Sequence, residues 1–253
     1  MSDGGTEGER RPLIDLPRLP ARVLALRTIA RADDALVAAW SLPKGMTSLG
    51  FITCTSDDAL YVALDEGTKA AAVEVVYARS FYAGAAHASG PLSGEVLGVY
   101  AGHDPAEIQA ALEACVRCLD HDACFYAADE AGQLAIFPHV VRSTGRWLSK
   151  EAGVEVGAAL AYLVAPPLES MIGLDAALKV APVTLKKWFG PPTETNFGGA
   201  YLTGTIADCE AAAQAFAAAV VDVAHAPVDM TRLARGGGET LSGRGRARAA
   251  RQG

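Results

Sequence analysis

The chain has 253 residues, 51% of them hydrophobic, and a formal net charge of −7; this fills a sizeable core in one large or two ordinary domains, and an acidic body repels nucleic-acid phosphates. The opening stretch MSDGGTEGERRPLIDLP is polar with both charge signs, which excludes a secretory signal or a basic transit peptide and sets a cytosolic expectation. The most apolar stretches, GAALAYLVAPPL and CEAAAQAFAAAVVDVAHA, are too short or too interrupted to cross a bilayer, which takes about 20 apolar residues.

In chain order, residues 1–18 offer little to bury and read as a disordered extension. Helix signals follow near 22–40, 65–79 and 104–120, then near 139–151, 174–188 and 207–226, with apolar strands between them. The best-marked start is Asp104-Pro105-Ala106-Glu107: an N-cap acceptor, a proline in the first turn and a glutamate placed to reach back. This alternation predicts an α/β (α+β) fold with short strands.

Laid on itself with a shift of 110 positions, SLGFITCTSDDALYVALD (48–65) falls on AALAYLVAPPLESMIGLD (158–175). Both read as an apolar strand, an interruption, and a Leu-Asp pair expected to open a helix. At a slightly different offset EVLGVYAGHDPAEIQAALEACVRCL answers the segment from Ala200 to Val223. Two tandem copies therefore account for about residues 20–230, with domains expected at 19–121 and 122–230. Beyond them, residues 231–253 hold six arginines against Glu239, so this tail is +5 and the remainder of the chain −12. With almost nothing apolar, it also reads as disordered.

Three features invite a chemical reading. The first is CVRCLDHDAC, with Cys115, Cys118, His121 and Cys124 at spacings that suit zinc or an iron-sulfur cluster. Against it, Ile108, Leu112, Cys115 and Leu119 form one core-facing helical stripe, and a continuous helix turns Cys115 and Cys124 to opposite sides. The five cysteines are an odd number and favour reduced thiols over disulfides. The second feature is Asp57-Asp58, in the turn after an apolar strand. With Glu95 and the ring of Phe125, this pair would favour a small cation. The third is a pair of divergent Gly-, Pro- and Ser/Thr-rich loops, 83–94 and 190–199, placed to surround an opening if the copies or their oligomer form a ring. No Gly-x-Gly-x-x-Gly, Gly-x-x-x-x-Gly-Lys, Gly-x-Ser-x-Gly or His-Glu-x-x-His occurs, so nucleotide and hydrolase chemistry lacks its usual anchors and no enzyme is expected.

The segments SDDALYVALDE, EVVYARSFYAGAAH, AYLVAPPLE, GLDAALK and PPTETNFGGAYLTG are collinear and long. Together they resemble the EutL family, the tandem-domain shell proteins of ethanolamine-utilisation bacterial microcompartments. The resemblance implies two circularly permuted bacterial microcompartment domains of ferredoxin-like type, and a homotrimer forming a pseudohexagonal tile beside other shell proteins. It also implies a central pore bordered by Ala83, Gly84, Ala85, Ala86 and His87 and by Pro191, Pro192, Thr193 and Glu194. Ethanolamine would bind in a small acidic pore at Asp57, Asp58, Glu95, Phe125, Thr195, Asn196 and Phe197 and favour the closed state. No cofactor is expected; Glu169 is at most a weak metal candidate. Both termini and the CVRCLDHDAC cysteines depart from the family pattern, and the alternative is a soluble metal-binding or redox protein built on that cysteine cluster.

Overall fold

In a computed structural model, residues 15–81, 90–193 and 195–228 are described. Two antiparallel sheets carry the fold. The first contains β2 (Val23–Ile29), β3 (Ser48–Cys54), β4 (Val73–Ser80) and β5 (Val96–Gly102), ordered β2-β3-β5-β4. The second contains β7 (Ala135–Val141), β8 (Ala159–Ala165), β9 (Thr184–Phe189) and β10 (Gly198–Gly204), in the matching order β7-β8-β10-β9. It is extended at the β7 edge by β6 (Cys124–Ala127) and then by β1 (Arg18–Pro20) from the start of the described chain.

Helices follow the same duplication. The first copy has α1 (Asp34–Ala39), α2 (Asp57–Ala70) and α3 (Pro105–His121); the second has α4 (Arg146–Ala152), α5 (Pro167–Val180) and α6 (Ile206–His225). α2 packs with α3, and α5 with α6, each pair covering its own sheet. Ile108, Leu112, Cys115 and Leu119 on α3 are all buried, as the stripe requires.

Several boundaries differ from the sequence expectation. The segment 22–40 is strand β2 followed by the short α1, because VLALRTI pairs with β3. The helix expected at 65–79 starts at Asp57 and ends at Ala70, and the rest is β4. Ser56 is its N-cap and accepts from the Ala59 amide (3.5 Å), so Leu64 and Asp65 lie inside the helix rather than opening it. The same correction moves α5 forward and assigns 184–189 to β9, and 139–141 belongs to β7. Glu107 does not reach back to its own N-cap: its carboxylate accepts from the Ala72 amide (2.7 Å), tying α3 to the end of α2.

Asp65 joins the two copies. Its fully buried carboxylate accepts from the amides of Gly145 (2.5 Å), Trp147 (3.1 Å) and Leu148 (2.8 Å), capping α4, whose own N-cap, Gly145, has no side chain to do so. Thr68 accepts from the Arg146 amide (3.1 Å), and the Arg146 guanidinium donates to the carbonyls of Ala71 and Val73 (2.9 and 2.8 Å). The largest core cluster accordingly runs through both copies, from Leu60 and Tyr100 to Leu148, Leu160 and Tyr201.

Candidate functional site

The first turn of α2 holds Asp57 and Asp58, where negative charge is favoured by the helix dipole. Both are nevertheless nearly buried, 8% and 7% exposed. The Asp57 carboxylate accepts from the Asp58 amide (2.9 Å), and the Asp58 carboxylate accepts a hydrogen bond from the Tyr162 hydroxyl of the second copy.

The two acids face a cavity of about 430 Å³ between the copies. One wall is α2 and β4, with Tyr61 and Tyr77; the other is α4, β8, β9 and the loop before β10, with Trp147, Phe189 and Phe197. Behind the Asp58 contact, the Tyr162 ring sits edge-on to Tyr201 (4.6 Å, 74°) and close to Phe189 (5.9 Å). Lys187, on the same lining, pairs with Glu151 (3.2 Å) and lies 5.8 Å from the Phe189 ring centroid.

Burial first, and then the charge of Asp57, holds the Asp58 carboxyl well above the usual carboxylate range; the Tyr162 hydrogen bond pulls the other way without reversing it. Glu95 is raised too, by partial burial and then by Asp57. Burial and the Asp58 charge likewise raise the Tyr162 phenol. The site is thus a pair of mutually repelling carboxyl groups, Asp57 and Asp58, among aromatic side chains, with Glu95 adding negative charge from outside the lining, an arrangement that a bound cation relieves.

The expected site residues fall at different depths. Asp57, Asp58, Thr195 and Phe197 line the cavity. Phe125, on β6, lies between Phe137 and Phe197 (ring centroids 5.0 and 5.7 Å) and so backs the lining. Glu95 is exposed just before β5, its amide donating to the Cys54 carbonyl (3.0 Å), near enough for its charge and those of both aspartates to interact. Asn196 is exposed with φ 65°, a left-handed conformation that asparagine tolerates, and shapes the turn through its backbone. Thr193, expected at the pore with Pro191 and Pro192, lines this cavity, and its carbonyl accepts from the Asn196 amide (3.0 Å). Residues 83–87 and Glu194 lie outside the described residues.

The cysteine cluster does not converge. Cys115 is buried beside the Tyr100 hydroxyl, Cys118 is buried on α3, His121 is exposed, and Cys124 opens β6, where its sulfur accepts from the Arg18 guanidinium (3.1 Å). Burial pushes the Cys118 thiol up to about 12, disfavouring the thiolate that a metal needs. Among the described residues no group of three or more His, Cys, Asp or Glu side chains is placed to hold a metal ion, and Glu169 has no such companions.

Residues 48–130 match the BMC domain family. The bacterial microcompartment shell protein EutL of Salmonella typhimurium is 49% identical over 217 residues, covering 86% of this chain and 98% of that protein. The chain belongs to the EutL family of microcompartment shell proteins. EutL of Clostridium perfringens is 50% identical over 206 residues, 81% of this chain and 95% of the relative. The crystal structure of ethanolamine utilization protein EutL from Leptotrichia buccalis superposes with a TM-score of 0.82 at 47% identity, covering 85% of this chain and all of that one.

In this EutL-family chain the sequence reading missed Tyr61, Trp147, Tyr162 and Phe189. A signal for one of them was present: Tyr162 and Tyr201 are the single aromatics of ALAYLVA and GGAYLTG and are register partners across β8 and β10. The duplication also shows what is particular to this junction. At the repeat's offset, Pro167 and Leu168 stand in α5 where Asp57 and Asp58 stand in α2, so the second copy has no equivalent acid pair.

Proposed function

We propose that this microcompartment shell protein is a homotrimeric, pseudohexameric tile of the cytoplasmic organelle, built from domains at 19–121 and 122–230. Ethanolamine bound between those domains favours the closed state of a central pore bordered by loops 83–94 and 190–199. The observation that carries the reading is the buried pair Asp57 and Asp58, facing a cavity whose walls come from both copies. Ethanolammonium is a small cation with one hydroxyl: the carboxylates neutralise the charge, and Thr193, Thr195 or tyrosine hydroxyls complete its hydrogen bonds. A ligand shifts a pore only if it binds the two states differently, and a site assembled from both copies changes shape whenever they move apart.

The duplication supports the trimer. Inside the chain, the α2/β4 face of the first copy packs against α4 of the second. The corresponding α5/β9 face leaves Leu168, Ile172, Val180 and Trp188 exposed, Leu168 by 60% and Trp188 by 59%. Covering that face with the first copy of another chain repeats the same head-to-tail contact, which closes as a ring of three chains and six domains.

Titration calorimetry with ethanolamine tests the site. Asp57→Ala and Glu95→Ala each weaken binding tenfold or more; parent-like affinity in both refutes the assignment.

A further inference from the structure

The cavity is much larger than ethanolamine. At about 30 Å³ per water, its roughly 430 Å³ hold the volume of about fourteen waters, of which a ligand with four heavy atoms displaces roughly four. Hydrogen-bonded capture of a compact primary ammonium needs carboxylates and hydroxyls, yet the rings of Tyr61, Tyr77, Trp147, Phe189 and Phe197 also line this cavity.

Those rings are arranged in pairs. Tyr61 and Trp147, from opposite copies, lie 5.5 Å apart at 48°, so the α2 wall meets the α4 wall through this tilted pair. Phe189 stands 4.8 Å from Tyr201 at 87°, and Phe197 is held at the far side by Phe125. The acids lie on the same lining as these rings. The two lysines there do not cancel them: Lys187 is paired with Glu151, and Lys150 is exposed at the end of α4. Buried carboxylates inside an aromatic enclosure are the chemistry that holds alkylated ammonium groups, whose positive charge is spread over carbon and is attracted to ring faces.

Building on the proposed amine site, we infer that the cavity accepts N-alkylated ammonium alcohols, bulkier than ethanolamine, with the cation against the Asp57 and Asp58 carboxylates and its alkyl groups against Trp147, Tyr61 and Phe197. A fully substituted ammonium has no N–H to donate, so its affinity rests on the rings. Ethanolamine instead rests on the hydrogen bonds.

Titration calorimetry of the full-length protein with choline and with ethanolamine separates the two cases. Choline is expected to bind within tenfold of ethanolamine and to compete with it. Each aromatic face contributes a factor of about 2 to 30, so Trp147→Leu is expected to weaken choline about tenfold and ethanolamine less than threefold, and Phe197→Leu, which removes a ring shared by both ligands, to weaken choline more than it weakens ethanolamine. Circular dichroism confirms that each variant is folded, and having two positions keeps the test open if one variant does not fold. Ethanolamine binding without choline binding overturns this inference and leaves the amine site standing. Choline binding that neither folded variant weakens also overturns it. Failure of both ligands to bind overturns the amine site as well.

Discussion

Replacing Asp65 by alanine should loosen the joint between the two copies. The side chain is fully buried and its carboxylate is the acceptor for three amides at the start of α4. Losing a helix N-cap costs about 0.5–2 kcal/mol, and each buried donor left without a partner about 1–3 kcal/mol. Gly145 and Leu148 are buried and Trp147 only half-buried, so two of the three donors have no access to water as a substitute. The expected loss is about 3–5 kcal/mol. For a chain of this size about 2–4 °C of melting temperature accompanies each kcal/mol, so Asp65→Ala should melt roughly 6–20 °C below the parent. Asp65→Asn should fall between the two, because its amide keeps an acceptor for Trp147 and Leu148 but turns a donor toward the Gly145 amide. The assay is thermal unfolding followed by circular dichroism at one fixed protein concentration, since oligomers melt in a concentration-dependent way. If Asp65→Ala melts within about 2 °C of the parent, the trans-cap is not what joins α2 to α4.

Three further outcomes follow from the same geometry. A Cβ at Gly67 would sit 2.0 Å from the Tyr100 hydroxyl oxygen and 3.0 Å from the Ala111 carbonyl; overpacking and loss of the Tyr100 to Leu64 hydrogen bond (2.8 Å) make Gly67→Ala destabilising by about 2–4 kcal/mol in urea unfolding. Because folding raises the Asp58 carboxyl, its contribution to stability is most favourable below the ordinary carboxylate range and is lost as pH rises through the folded value. Asp58→Asn should therefore melt higher than the parent at pH 7.5, and the gap should narrow as pH falls toward 4; a constant gap, or a lower melting point, contradicts the burial argument. All five cysteines are buried, so a thiol reagent at pH 7.5 should label the native protein slowly and all five quickly in guanidinium; rapid native labelling of Cys115 or Cys118 would contradict their placement.

The duplication was legible because each copy repeats the same alternation of apolar strand and helix, and that pattern survives low identity. Element ends were not. VLALRTI and VEVVYARS are apolar enough to satisfy a helical period, and only pairing with β3 and β5 makes them strands. The start of α2 was misplaced because Leu64-Asp65 resembles an opening, whereas Ser56 caps the helix. Asp65 acts instead on a different helix, eighty residues away at Gly145. The acid pair stood out as adjacent carboxylates after a strand. Its partners did not, since Tyr162 meets Asp58 across a sequence separation of 104 residues that no local pattern records. CVRCLDHDAC misled in the opposite way: its spacing suits a metal, but helix geometry and the turn at Asp122 distribute its side chains between a core, a surface and a strand.

In the proposed function, a cation bound between the two copies governs the pore of the assembled tile. Crystal structures of the protein with and without ethanolamine test this most directly. The expected result is three chains around one axis, the amine between Asp57 and Phe197, and loops 83–94 and 190–199 closed around the axis in the bound form and displaced in the free one. Ethanolamine bound elsewhere, or the same loop positions with the site full and empty, would contradict it.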